Sequence, residues 1–120
     1  VFEYKTVETP ASRVKSVNEV LNADHHADWK FSAPTIVDGQ LFLLLEREED
    51  APRPPVEYFY HYGRFDRVTL ANLLSQKGMS GWQLMGYDIE SIYVGVIMWR
   101  PRVVEDAIEI KEEMDDGEDS

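Results

Sequence analysis

Residues 82–100 read WQLMGYDIESIYVGVIMWR, and residues 29–47 read WKFSAPTIVDGQLFLLLER. Laid over one another at an offset of 53, Trp29 falls on Trp82, Phe31 on Leu84, Ile36 on Ile89 and Arg47 on Arg100. Without a gap, Leu41, Leu43 and Leu45 fall on Val94, Val96 and Met98. The same offset carries upstream, pairing Val17 with Leu70, Val20 with Leu73 and Leu21 with Leu74. With one residue of slippage, Phe2-Glu3-Tyr4 meets Val56-Glu57-Tyr58. Self-similarity at a fixed period is the mark of an internal repeat. The chain therefore reads as two copies of one unit, residues 1–47 and 56–102. Residues 48–55, EEDAPRPP, form a charged, proline-rich linker that cannot continue a strand.

Each unit reads strand, helix, strand, strand. Phe2, Tyr4 and Thr6 alternate with Glu3 and Lys5, the period of a strand, and Pro10 ends it. Ser12 is the expected N-cap of a helix whose Val14, Val17, Val20 and Leu21 share a face. Trp29–Phe31 begins the next strand, Asp38-Gly39 signals a hairpin turn, and Leu41–Leu45 is an unbroken apolar strand. In the second unit Val56, Tyr58, Tyr60 and Tyr62 alternate, and Asp66 is the expected cap of a helix turning Leu70, Leu73 and Leu74 inward. Gly78 or Gly81 ends that helix. Trp82–Tyr87 and Ile92–Trp99 are the closing pair of strands, stopped by Pro101. The expected fold is α+β: one pseudo-twofold, antiparallel-rich sheet of about six strands, with both helices on one face. A lone unit of this size buries too little to stand by itself.

The segments Glu3-Tyr4-Lys5-Thr6-Val7, Gly81-Trp82-Gln83-Leu84-Met85 and Trp99-Arg100-Pro101 resemble the motifs of the small prokaryotic and phage DUF4177 family. The first copy departs from that pattern, with Asp28 where a glycine would precede Trp29 and no proline closing its last strand. The resemblance covers nearly all of residues 1–102. It implies the β-α-β-β fold and a prokaryotic or phage source, and it implies no activity.

The chain has 120 residues, no cysteine, and 23 acids against 12 Lys and Arg, a formal charge of -11. The absence of cysteine excludes a disulfide-stapled secreted fold and thiolate chemistry. No apolar run approaches the roughly 20 residues of a membrane helix. Val1-Phe2-Glu3-Tyr4-Lys5 carries no basic stretch leading into an apolar one, so the expected compartment is the cytoplasm, that of the host if the source is a phage. Residues 105–120, EDAIEIKEEMDDGEDS, hold nine acids and one lysine, so -8 of the charge lies there and only -3 on residues 1–104. Residues 103–120 thus form an acidic tail, with a short amphipathic helix conceivable over 103–114 and disorder expected from Asp115 onward. An acid-rich halophile is the other source of such a composition, but its acids would be spread over the body.

Both sides of the closing strands are apolar: Leu41, Leu43 and Leu45 on one, Phe42 and Leu44 on the other, with Tyr93, Ile97 and Trp99 matching in the second copy. Two short helices cover one face only, so the other face is expected to close on itself, to pair in a homodimer, or to bind a partner. Phe42, Phe59, His61, Tyr93 and Trp99 are the candidate residues of that aromatic face. Glu112, Asp115 and Asp116 are those of the tail.

Asp24-His25-His26-Ala27-Asp28 concentrates two imidazoles and two carboxylates. Neighbouring helical side chains diverge by about 100°, however, so a solvated helix end is the simpler reading and no metal or cofactor is expected. His61, amid Tyr58-Phe59-Tyr60-His61-Tyr62, reads as a half-buried structural histidine before it reads as a base. Phosphate-loop, dinucleotide, nucleophile-elbow and zinc-protease signatures are absent, and no catalytic residues are expected. The leading expectation is a non-enzymatic adaptor or inhibitor docking a protein through its aromatic face, with a tail that engages basic surfaces. An alternative is a binder of single-stranded nucleic acid with an autoinhibitory tail, using Arg64, Arg67, Lys77, Arg100 and Arg102 beside aromatic platforms. A small-ligand sponge at a dimer interface is a third.

Overall fold

A computed structural model describes residues 1–50 and 53–102. The elements run β1 (Phe2–Pro10), α1 (Val14–Leu21), a 3-10 turn (Asp24–His26), β2 (Lys30–Phe31), β3 (Thr35–Val37), β4 (Gln40–Glu48), β5 (Val56–Arg64), α2 (Arg67–Gly78), β6 (Gln83–Glu90) and β7 (Tyr93–Pro101). The α+β class is as expected. The seven strands form two antiparallel sheets in place of the one expected. Sheet A is ordered β1-β4-β2, with β3 also on β4; sheet B is ordered β5-β7-β6.

Local chemistry explains most of the boundaries. Asp38 and Gly39 both take positive φ, 51° and 79°, the backbone a two-residue hairpin between β3 and β4 requires. Asp66 caps α2, its Oδ2 accepting from Thr69 N at 2.9 Å and Thr69 Oγ1 at 2.7 Å. These bonds hold its carboxyl below the usual range. Ser12 does not cap α1. That helix begins one residue later, with Arg13 at the cap position and no side-chain bond there.

The two sheets stack through unlike faces. The face of sheet A that carries α1 presents Leu41, Leu43 and Leu45, all fully buried. It packs against Tyr58, Tyr60 and Ile97 of sheet B, in one core with Val17, Leu21, Trp29 and Phe31. The other face of sheet B presents Val94, Val96 and Met98, which pack against Leu70 and Leu74 of α2 and against Phe59, Phe65 and Trp82. Sheet B is thus the middle layer, and the two helices do not share one sheet face. Gly95 permits the close approach: a Cβ there would stand 2.8 Å from Ile36 Cδ1 and 3.1 Å from Tyr60 Oη.

Side chains explain why the sheets do not merge. Each asparagine side chain offers a carbonyl acceptor and an NH2 with two donors. It can match the N–H and C=O of one strand residue while its second N–H donates back into α1, Asn18 to Val14 O and Asn22 to Asn18 O. Asn22 Oδ1 accepts from Tyr58 N at 2.9 Å and its Nδ2 donates to Tyr58 O at 3.0 Å. Asn18 does the same to Tyr60, at 3.0 and 3.4 Å. Four helical residues rise about 6 Å and two strand residues about 6.8 Å, so the pairs fall in step. The middle of the free edge of β5, at Tyr58 and Tyr60, is thereby taken by α1 in place of a strand. At the other edge of sheet B, Asp88 accepts from Ile36 N at 2.6 Å, and Glu90 accepts from Asp38 N and Gly39 N at 2.5 and 2.8 Å. No helix among the described residues is long and apolar enough to cross a membrane.

Candidate docking surfaces

Stacking one face of sheet A leaves the other uncovered by any of the described residues. Glu49 N donates to Val1 O and Ala11 N to Gly39 O, so the odd residues of β1 bond to β4. Phe2, Tyr4, Thr6 and Glu8 therefore turn their backbone groups outward at an edge with no partner strand among the described residues. Their side chains share the outer face with Phe42 and Leu44, which lie opposite Glu8 and Thr6. Phe2 and Tyr4 are 53% and 59% exposed, Phe42 and Leu44 40% and 43%. Exposed apolar side chains on a sheet face, here flanked by Glu8 and Glu46 opposite Phe42 and Tyr4, form beside an open edge a surface to which proteins add.

A second apolar surface lies on the far side of the molecule. Helix α2 covers β7 but leaves β6 partly bare, with Leu84, Tyr87 and Ile89 all 40% exposed or more. Between helix and strand runs a groove of about 350 Å³, floored by Val96 and walled by Phe65, Leu70 and Leu74. Arg67 stands at its rim.

The residues expected to form one aromatic face are divided among three. Phe59 and His61 lie with Val96 and Met98 on the α2 side of sheet B. Trp99 pairs with Tyr58 and packs on the core between the sheets. Tyr93 shares that parity and stacks on Tyr62, ring centroids 5.4 Å apart and nearly parallel. Phe42 belongs to the outer face of sheet A. The division follows from register, since Phe59 opposes Met98 and not Trp99. Glu112, Asp115 and Asp116 lie outside the described residues.

The basic residues considered for nucleic acid are likewise separated. Arg100 is bound to Glu57 at 2.7 Å, to Ser80 O at 2.9 Å, and lies over the Trp82 ring at 4.4 Å. Lys77 lies over Phe59 at 3.9 Å. Arg64 and Arg67 stand at the opposite end of sheet B, about 24 Å away along seven strand residues. In sheet A the corresponding arrangement has Arg47 paired with Glu3 and placed over Trp29 at 4.5 Å.

His26 is turned inward, only 6% exposed, with Nδ1 donating to Val20 O at 2.8 Å, while His25 stays exposed. No three His, Asp or Glu side chains converge among the described residues. Burial holds the His26 imidazole below its ordinary value, aided by neighbouring His25, and burial does the same to His61. The unfolded chain takes up protons at both rings near 6.5, the ordinary value of a free imidazole, and the folded chain resists. Their contribution to stability is therefore full above that pH and is lost as pH falls below it. The urea midpoint should drop between about pH 7.5 and 5.5, and His26→Gln with His61→Gln should flatten the drop. A midpoint that rises on acidification contradicts this.

Comparison of the chain with protein-family models, with curated proteins and with solved structures gives no match.

Proposed function

We propose that the chain is a non-enzymatic binding protein, an adaptor or inhibitor, built from two copies of a DUF4177-like β-α-β-β unit. It docks protein through the apolar faces its stacking leaves open, and the acidic tail draws in basic surfaces. The observation that carries this reading is the exposure of Phe2, Tyr4, Phe42 and Leu44 beside the edge of β1, which no strand among the described residues pairs. Apolar surface of this kind supplies residence time, while long-range charge sets the rate of encounter.

Affinity capture with the full chain, a Phe42→Asp variant and a 1–104 chain as baits tests the reading. Phe42→Asp should lose the captured protein at least about tenfold, because a carboxylate must be desolvated at the contact. Removing residues 105–120 should slow association and flatten its dependence on salt, with little change in dissociation. Retention of the partner by Phe42→Asp sinks the face assignment. An association rate that is unchanged across ionic strengths sinks the tail's role.

A further inference from the structure

The interface inside the molecule is a template for one between molecules. The two sheets match in register: Leu84 opposes Met98 as Phe31 opposes Leu45, and Ile89 opposes Val94 as Ile36 opposes Leu41. Phe65 N donates to Ile92 O as Ala11 N donates to Gly39 O. On sheet A, the area beside α1 and over β4 is filled by Tyr58, Tyr60 and Ile97 of sheet B. On sheet B, the matching area beside α2 and over β7 and β6 is the open groove. The surface matching Tyr58, Tyr60 and Ile97 is the outer face of sheet A, with Tyr4, Thr6 and Leu44 in their places.

We propose that a second copy of this chain fills the groove, its sheet A outer face packed head to tail against α2 and β6. This rests on the reading of both faces as docking surfaces and names their occupant. Side-chain sizes interchange in the required sense. Inside the molecule the large Tyr60 meets the small Ala11, its Oη donating to Ala11 O at 2.7 Å, and Gly95 gives room to Ile36. Between molecules the small Thr6 meets the large Phe65, and Phe42, standing where Gly95 does, enters the groove toward Ile89. Charge is complementary as well. Tyr62 and Val14 pack on the internal core, and at their matching positions stand Glu8 and Arg67, one on each side of the new contact. Ala71 and Ser75 replace Asn18 and Asn22, so the edge clamp is missing and the contact is reversible on dilution. Because the two surfaces differ, each added copy joins by one and leaves its other exposed, and association propagates until a ring closes.

Sedimentation velocity of the full chain tests this, with Phe42→Asp, Ile89→Lys and, as a second groove variant, Leu84→Lys; all three positions are at least 40% exposed, so the fold tolerates the charge. The full chain should form species larger than a dimer as concentration rises. Each variant alone should stay monomeric, with association at least tenfold weaker. A mixture of Phe42→Asp with either groove variant should give a one-to-one dimer and nothing larger, since each supplies the surface the other retains. A mixture that stays monomeric overturns the proposal, as does a groove variant that still dimerises alone. A full chain that is monomeric at every concentration also overturns it, and leaves the docking faces to be judged by the capture experiment.

Discussion

Replacing Asn18 and Asn22 together by leucine is expected to remove about 4 kcal/mol of folding stability, about 2 for each strand residue left without its partner. The two amides satisfy the N–H and C=O of Tyr58 and Tyr60, at the seam between α1 and the buried face of sheet B. Leucine fills similar space but returns neither bond, so four backbone groups lose their partners in a region that water reaches poorly. The loss should be local as well as global: the amides of Tyr58 and Tyr60 should lose hydrogen-exchange protection before those of β4. Asn72 and Gln76 of α2 supply the control. Both are exposed, and their replacement by leucine should change stability by no more than about 0.5 kcal/mol. Equal effects from the two pairs would show that α1 does not clamp β5.

Tyr60→Ala is expected to cost about 4 kcal/mol, a large share of the 5–15 kcal/mol that stabilises a domain. Tyr60 is fully buried between the sheets, and burial raises its hydroxyl well above the ordinary range. Truncation deletes the ring from the core and leaves Ala11 O without its donor. Tyr60→Phe isolates the second effect and should cost about 1 kcal/mol. Thr6, at the matching place on sheet A, is exposed, and Thr6→Ala should be nearly silent. Urea denaturation of the four chains measures the contrast. A Thr6→Ala cost approaching that of Tyr60→Ala would mean that the outer face is covered within the monomer.

Elements whose causes are local were legible in the residues. The alternation of Phe2, Tyr4 and Thr6, the Asp38-Gly39 turn and the Asp66 cap each act within a few residues, and all three stand where expected. Arg47 and Arg100, matched at the offset of 53, pair with Glu3 and Glu57 in two separate sheets, where one joint sheet was expected. What escaped depends on partners distant in the chain. Asn18 and Asn22 sit beside Val17 and Leu21 at helical spacing, a visible sign that something polar borders the apolar stripe. Their partners lie 36 and 42 residues away, and no pattern in the chain specifies them. Without those bonds the repeat pointed to one joint sheet of about six strands, where two stand. The candidate face failed for a related reason: parity within β5 and β7 was readable, but the register that sets Phe59 against Met98 was not. Ser12 was displaced because β1 runs on through Pro10 and the helix starts only at Val14.

Association of copies head to tail joins two unlike apolar surfaces that one internal stack leaves open among the described residues. Amide-resolved spectra of the full chain across a dilution series test it most directly. Concentration should shift two sets of signals together, Tyr4, Thr6, Phe42 and Leu44 on sheet A, and Leu70, Leu74, Leu84 and Ile89 around the groove. Shifts confined to one set, or none at any concentration, would contradict it.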